Sequence, residues 1–257
     1  MARGTVQALL LLSQLSEQTQ RYDTALEYLA QIDSPKDALR IAVRKASVMA
    51  HQGKLDDARQ LIRNAPESQS EDGRTKWSAE IQLLRDHRKY QLAYEQLGAA
   101  LVAHPQDSEF LYDQAMMAER IGKTDEMERI LRQLIASKPD YHHAYNALGF
   151  SLAERNVRLD EARALVVKAL EFAPDDPFIV DSLAWVEFRL GKTDEALRLL
   201  RQAYEKRPDA EIAAHLGEVL WTVGQRESAL TIWQKGAQLS PENETLLETT
   251  LRLQGKP

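Results

Sequence analysis

Residues 145–174 read YNALGFSLAERNVRLDEARALVVKALEFAP, and this stretch decides the fold. Its apolar residues recur every three or four positions on both sides of Asn156, which predicts two amphipathic helices. Asn156 tolerates a positive φ and therefore suits the turn between them. Short side chains at Gly149 and Ala162 allow the helices to approach closely. The stretch predicts a helical hairpin that ends at Pro174, because proline cannot continue a helix.

The same pattern recurs along the chain at intervals of 33 to 35 residues. Its central marker is a small residue, replaced once by methionine, at Ala25, Ala58, Ala93, Met127, Ala162, Ala196 and Ala229. A proline follows each of the last five markers after twelve residues, at Pro105, Pro139, Pro174, Pro208 and Pro241. Turn residues that accept positive φ precede several markers, at Gly53, Gly122, Asn156, Gly191 and Gly224. Two markers in constant phase predict an array of helix pairs.

The array predicts seven units and about fifteen helices. The units are placed at 6–36, 37–73, 74–107, 108–141, 142–176, 177–209 and 210–242, before a closing helix from Glu244 to Leu253. The polar segment 66–73 is read either as a hinge or as an ordinary longer loop. The domain prediction is therefore repeats one and two at 1–73, repeats three to seven at 74–242, and a capping helix and tail at 243–257.

Composition excludes several classes of function. The 33 Lys and Arg residues against 39 Asp and Glu give a net charge of -6, which disfavours a nucleic-acid partner because phosphates require a basic surface. The absence of cysteine excludes disulfides and thiolate metal sites. The apolar run Ala8 to Leu12 is too short for a signal peptide. No run is long enough to span a bilayer, so we expect no direct membrane insertion of this chain, and its localisation stays open.

Two features that resemble chemical motifs are better explained as structure. Gly122-Lys123-Thr124 resembles the end of a phosphate-binding loop, but Met117 stands where that loop needs glycine. His142 and His143 are adjacent on a helix and therefore point about 100° apart, which suits shared metal coordination poorly. We expect no enzymatic activity, no catalytic residue, no cofactor and no metal site.

The unit is similar to the tetratricopeptide repeat, whose pattern is an aromatic residue, Leu-Gly, a central Ala, an aromatic or aliphatic residue, Ala and Pro. The fullest match is Tyr145, Leu148, Gly149, Ala162, Val166, Ala169 and Pro174. Repeats one to three match less well, because Lys45 and Glu80 stand where leucine is usual. The resemblance implies an all-α fold, a right-handed α-solenoid of about seven helix-turn-helix repeats with a C-terminal capping helix. A pentatricopeptide RNA reader has a similar period, but the acidic charge and the markers disfavour it.

The resemblance also implies a concave groove lined by the first helix of each repeat, the A helix, which holds a partner protein or peptide. The groove residues expected from it are Tyr112, Met116, His143, Asn146, Phe150, Phe178, Asp181, Trp185, Phe188, Glu218 and Trp221. Aromatic residues on an open face are typical of interface anchors, although each one taken singly also fits packing between neighbouring A helices. The lysine clamp of chaperone-binding members has no counterpart at the fifth position of any unit.

A narrower resemblance covers about the last 110 residues. The segments 145–153, 181–186 and 211–221 resemble the C-terminal part of proteobacterial outer-membrane tetratricopeptide lipoproteins. Members of that group are adaptors that bring a periplasmic carboxyl-terminal processing protease to cell-wall hydrolases. The resemblance implies that protease and its substrates as partners, and a periplasmic location as part of a lipoprotein anchored in the outer membrane. This chain lacks the lipidated cysteine.

The N-terminal repeat has no evident cap. Val6, Leu9, Leu10 and Leu12 follow closely on the start, with nothing before them to cover an apolar face. We expect either that the chain is part of a longer array or that a second copy covers this face. The second reading predicts a homo-oligomer and, as an alternative function, a self-assembling module of a larger repeat protein.

Overall fold

The structure, a computed structural model, describes residues 3–255, and these contain fifteen α-helices and no strand. This confirms the all-α prediction and the predicted number of helices. The helices form two compact units, and the boundary between the units falls at Met127 and Glu128, inside α8.

The helices follow one another with short connections throughout. Their bounds are α1 Arg3–Gln18, α2 Tyr22–Ala30, α3 Ala38–His51, α4 Leu55–Arg63, α5 Asp72–Asp86, α6 Tyr90–Ala103, α7 Ser108–Arg120, α8 Thr124–Ser137, α9 His142–Glu154, α10 Leu159–Phe172, α11 Pro177–Arg189, α12 Thr193–Lys206, α13 Ala210–Thr222, α14 Arg226–Leu239 and α15 Glu244–Gln254. A single 3-10 turn, Pro35–Asp37, precedes α3. Each predicted unit contains one helix pair, and α15 is the predicted closing helix.

The turns inside the repeats use left-handed backbone where the sequence predicts it. Gly53, Gly122, Gly191 and Gly224 have φ between 76° and 82°, and Asn156 has φ of 55°. Gln20 and Arg88 have φ of 58° and 54° in the corresponding turns of repeats one and three. These two side chains gave no sequence signal, because neither residue favours positive φ.

The predicted hinge segment lies within the first unit. Lys76 donates hydrogen bonds across it, at 2.9 Å to Glu67 Oε1 and at 3.2 Å to the carbonyl of Arg63. Because α4 ends at Arg63 and α5 begins at Asp72, the connection covers residues 64–71. The hinge stays a prediction, as does the division at 73, and residues 1–2 and 256–257 of the predicted domains lie outside the described residues.

Helices of the second unit approach closely at glycines. A Cβ atom on Gly149 would lie 2.6 Å from Val166 Cγ2 and 2.8 Å from the carbonyl oxygen of Ala162. A Cβ atom on Gly217 would lie 2.0 Å from the indole nitrogen of the buried Trp233. The short residues of the repeat pattern therefore set the distance between paired helices.

In the first unit a buried carboxylate also joins neighbouring repeats. Glu80 of α5 is 2% exposed and occupies the position where the repeat pattern has leucine. It accepts hydrogen bonds from Arg59 Nε at 2.9 Å and from Arg63 Nε at 2.8 Å, both on α4. Glu80, which departs from the repeat pattern, thus joins repeat three to repeat two.

Candidate functional site

The A helices of the second unit enclose a small cavity together with the closing helix. The cavity has a volume of about 190 Å³. Its walls come from α9, α11, α13 and α15, and consist of Phe150, Glu154, Trp185, Glu211, His215, Glu218, Thr245, Glu248, Thr249 and Arg252. The repeat therefore brings residues that are about 34 positions apart in sequence to one place.

A buried histidine stands at the centre of this wall. His215 is 3% exposed, and its Nδ1 lies 2.8 Å from Oδ2 of Asp181, which is itself 4% exposed. The Trp185 ring stacks on the imidazole, with 4.7 Å between the ring centroids. The Phe150 ring is tilted against the imidazole, with 5.6 Å between the ring centroids. Three successive A helices are thereby joined through one imidazole.

The imidazole is held in its charged form. Burial lowers the pKa of His215, but the charge and the hydrogen bond of Asp181 outweigh burial and raise that pKa to about 9. Glu211 and Glu154 raise it further. At neutral pH the centre of the wall is therefore an ion pair of an imidazolium and a carboxylate.

The rim of the cavity is acidic. Glu154, Glu211 and Glu248 are exposed, whereas Glu218 is 7% exposed and accepts a hydrogen bond at 2.6 Å from Arg252 on α15. That ion pair attaches the closing helix to the A-helix face. The four carboxylates of the wall outnumber its two cationic side chains.

Three of the predicted groove residues meet at this cavity, but with less accessible surface than the sequence suggested. Phe150, Trp185 and Glu218 all line it. Trp185 is only 4% exposed, so most of its ring packs inside the monomer, and Asp181 lies buried beside His215. These placements do not test whether the residues bind a partner, and their binding role stays a proposal.

The other predicted groove residues lie elsewhere. Phe178, Phe188 and Trp221 are half-buried against the core of the second unit. The guanidinium groups of Arg207 and Arg226 lie 4.8 Å and 4.9 Å from the ring centroids of Phe178 and Trp221. Aromatic surface of this kind attracts cations.

At the start of α9, His143 is exposed and Asn146 is half-buried. Partial burial lowers the pKa of His143, and the neighbouring His142 lowers it further. Tyr112 and Met116 belong to α7 in the first unit, where both are half-buried. The predicted residues are therefore distributed over both units.

A larger cavity lies on the A-helix face of the first unit. It measures about 760 Å³ between α3, α5 and α7. Its apolar floor includes Leu39, Val43, Ala79 and Ile81. Around this floor stand the charged and polar residues Lys36, Asp37, Arg40, Arg44, Gln69, Asp72, Thr75, Ser78, Gln82, Arg85, Glu109 and Asp113.

The charges around the larger cavity are mostly paired within the chain. Arg44 donates to Glu17 at 2.6 Å, and Arg85 donates to Asp113 at 3.0 Å. Burial raises the pKa of Asp113, and this outweighs the opposing effect of Arg85. Paired rim charges cost less to cover with a partner than isolated ones.

Sequence reasoning did not select the residues of the larger cavity, nor His215 and Arg252 of the smaller one. Repeats one to three present small or polar side chains on their A helices, which a search for aromatic anchors passes over. The 34-residue spacing from Asp181 to His215, and again from Glu218 to Arg252, is the signal that pairs them.

Residues 3–255 contain neither a metal-binding cluster nor a membrane-spanning helix. No group of three or more histidine, aspartate and glutamate side chains in this part of the chain is arranged to hold a metal ion. None of its helices combines the length and the apolar character needed to cross a membrane.

Paired helices in series, with cavities on the A-helix faces, define the class of helical-repeat interaction scaffolds. The family model for the tetratricopeptide repeat matches residues 78–126, 120–177 and 182–244. The chain belongs to the tetratricopeptide repeat family. In this family the repeats generally form scaffolds for protein interaction, not enzymes.

Curated relatives agree with this assignment. The chain is 37% identical over 207 residues to TPR repeat-containing protein PA4667 of Pseudomonas aeruginosa, an alignment that covers 80% of this chain and 35% of that protein. It is 27% identical over 146 residues to TPR repeat-containing protein YpiA of Bacillus subtilis, covering 56% of this chain and 34% of that protein. The chain thus spans about a third of the length of these two relatives.

Solved structures show the same fold. A tetratricopeptide repeat protein from Parabacteroides merdae has a TM-score of 0.70 at 16% identity, over 98% of this chain and all of that one. The thermophilic protein TTC0263 of Thermus thermophilus has a TM-score of 0.61 at 23% identity, over 68% of this chain and 94% of that one. At these identities the likeness concerns the fold alone.

Proposed function

We propose that this chain binds an extended segment of a partner protein on the A-helix faces of its repeats, as part of an adaptor for a carboxyl-terminal processing protease. The observation that carries the binding proposal is the 760 Å³ cavity between α3, α5 and α7. Three successive repeats contribute to its wall, as a groove for an extended ligand requires.

The chemistry of this cavity suits a peptide. Its volume falls within the roughly 300–1,000 Å³ typical of ligand sites. Leu39, Val43 and Ile81 supply apolar surface, while Ser78 and Gln82 supply side chains that donate and accept hydrogen bonds. A peptide with small apolar side chains and a polar backbone matches both.

The aromatic residues of the second unit support a further contact. Phe178, Phe188 and Trp221 retain part of their surface after packing on the core, and Trp and Phe are favoured at interface cores. We therefore retain them, with the other predicted groove residues, as proposed contacts for a partner.

The choice of protease rests on the narrower resemblance of the last 110 residues to lipoprotein adaptors. The relationship to PA4667 over 207 residues supports the tetratricopeptide repeats alone, which is all that the name of that protein states. An adaptor must hold two proteins, and the two separate cavities on A-helix faces provide two places for them.

Binding of the purified chain to a purified carboxyl-terminal processing protease and to a purified cell-wall hydrolase tests the proposal by biolayer interferometry. Ser78→Trp fills the larger cavity and should weaken binding of one partner about tenfold or more, the loss typical of a disturbed interface centre. Gln91→Trp places the same side chain on an exposed position of α6 and serves as the control.

Each result has a distinct meaning. Failure of the wild-type chain to bind either protein would exclude the protease adaptor. Binding that is unaffected by Ser78→Trp would remove the larger cavity from the proposal, provided that the melting temperature shows the variant is folded.

Self-association is a second candidate, favoured by exposed leucines on α1. Leu11, Leu12 and Leu15 are 56%, 41% and 49% exposed. The sequence reading expected Val6 and Leu9 in this uncovered set, but both are buried in the core of the first repeat. Analytical ultracentrifugation of the wild type and of Leu11→Ser with Leu15→Ser tests the idea, and a mass equal to one chain at all concentrations would contradict it.

A further inference from the structure

The smaller cavity on α9, α11, α13 and α15 has the size and lining of a site for one side chain. Its 190 Å³ lies below the roughly 300–1,000 Å³ of sites for small-molecule ligands. The exposed residues Glu154, Glu211 and Glu248 at its rim leave it accessible from outside. A cofactor is therefore a poor match, and a single projecting residue is a good one.

The walls favour a flat cation. The Phe150 and Trp185 rings both contact the imidazole of His215, and both line the cavity. Guanidinium groups stack on such rings more readily than ammonium groups do, because they are planar and weakly hydrated. The carboxylates supply the opposite charge.

Two of these carboxylates have no ion pair among residues 3–255, namely those of Glu154 and Glu248. Glu218, by contrast, is already paired with Arg252 at 2.6 Å. The guanidinium of Arg252 thus already lies beside this wall, which shows that the wall accommodates such a group. The carboxylates of Glu154 and Glu248 are left for a second guanidinium.

The indole of Trp185 adds an observation independent of charge. Trp185 is 4% exposed, and its Nε1–H has no hydrogen-bond partner among the described residues. A buried donor without an acceptor costs roughly 1–3 kcal/mol, so an incoming carbonyl oxygen would be stabilised there. A peptide residue carries a carbonyl and a side chain together.

We propose that this cavity receives an arginine residue of the partner segment, with the guanidinium between Glu154 and Glu248 and the backbone carbonyl accepting from Trp185 Nε1–H. The inference rests on the proposed function, since it names the chemistry that the scaffold recognises. Lysine would bind less tightly, because it cannot donate two parallel hydrogen bonds to carboxylates.

The test uses two short acetylated and amidated peptides, Gly-Ser-Arg-Ser-Gly and the same peptide with citrulline, the neutral isostere of arginine. Each is titrated into the full chain while the indole N–H signals of its four tryptophans are followed by NMR. Trp185→Phe assigns the Trp185 signal and removes the donor. We expect a saturable shift of that signal with the arginine peptide, and binding about tenfold weaker with citrulline.

Glu154→Gln with Glu248→Gln should weaken binding of the arginine peptide about tenfold or more, while circular dichroism confirms that the variant is folded. Glu227→Gln with Glu242→Gln removes two exposed carboxylates outside the cavity and should leave binding unchanged. Equal affinity for both peptides, or no effect of the first pair, would overturn the inference.

The protease and hydrolase experiment separates this inference from the proposed function. If the Glu154 and Glu248 variant still binds a partner protein as the wild type does, the cavity inference fails while the scaffold proposal stands. If the arginine peptide binds as expected but neither protein binds, the cavity inference stands and the choice of protease fails.

Discussion

The two units build their A-helix faces from the same repeat but with different chemistry. The first has a cavity of about 760 Å³ bordered by ion pairs, as between Arg85 and Asp113. The second has a cavity of about 190 Å³, walled by aromatic rings around the ion pair of His215 and Asp181. A repeat therefore fixes where a groove lies and leaves its chemistry open.

Neighbouring helices are held by close packing and by buried, paired carboxylates in both units. Where the repeat pattern is strong, short residues such as Gly149 bring helices into direct contact. Where the pattern is weak, Glu80 replaces an apolar residue and is neutralised by Arg59 and Arg63. The departure from the pattern at Glu80 is thus matched by charge partners in the preceding repeat.

Removing the buried carboxylate of the first unit should have the largest effect. Glu80→Ala leaves Arg59, whose side chain is 14% exposed, with only the exposed Asp56 as an acidic partner and should cost about 3 kcal/mol of unfolding free energy. Glu187→Ala is the matched change in the second unit, where Arg163 and Lys192 are 47% and 55% exposed and return to water. Urea unfolding followed by circular dichroism should show the greater loss for Glu80→Ala, and equal losses would contradict the contrast.

The ion pair of the second unit should make its stability depend on pH. Because folding raises the pKa of His215 from 6.5 to about 9, the stabilisation is complete below about pH 6.5 and is lost as pH rises to about 9. The upper limit of the loss is about 3 kcal/mol.

Tryptophan fluorescence of a Trp77→Phe background follows this unit alone, because the three remaining tryptophans belong to it. Asp181→Asn should lower the melting temperature at pH 6.5. It should also make the melting temperature depend less on pH between pH 6.5 and pH 9. A wild-type profile that rises over this range would contradict the assigned pair.

Replacing a helical glycine by alanine should have opposite effects on stability in the two units. Gly149→Ala forces its Cβ atom against the backbone carbonyl of Ala162 and should cost about 2 kcal/mol. Gly98→Ala in α6 of the first unit meets only the end of the Gln114 side chain at 3.4 Å and should stabilise by up to about 1 kcal/mol, since alanine is the better helix former. Thermal melts of both variants show whether each change raises or lowers the melting temperature. A stabilising Gly149→Ala would contradict the close packing of α9 on α10 that this contrast assumes.

The sequence predicted the fold well because spacing alone specifies helix pairs. The markers from Ala25 to Ala229 predicted seven pairs, and the structure contains them. The turns at Gln20 and Arg88 were not predicted, because tertiary packing in those repeats selects a positive φ that these residues do not favour.

The candidate site was less predictable. Position within the repeat correctly placed Phe150, Trp185 and Glu218 on A helices, and these meet at one cavity. The burial of Trp185 follows from the distance between successive A helices, which no single repeat encodes. The pairing of His215 with Asp181 likewise requires two repeats to be stacked before it becomes visible.

The contacts around the link between α4 and α5 have a practical consequence for engineering. Because Arg59 and Arg63 of α4 meet Glu80 of α5 directly, the docking of the two helices has contacts outside the intervening residues. The start of this link, at the exposed Pro66 and Glu67, lies ahead of the Ser68 and Gln69 amides that donate to Asp72. It offers an insertion point at which an epitope tag or a fluorophore-labelling sequence can be grafted while the repeats on either side keep their register.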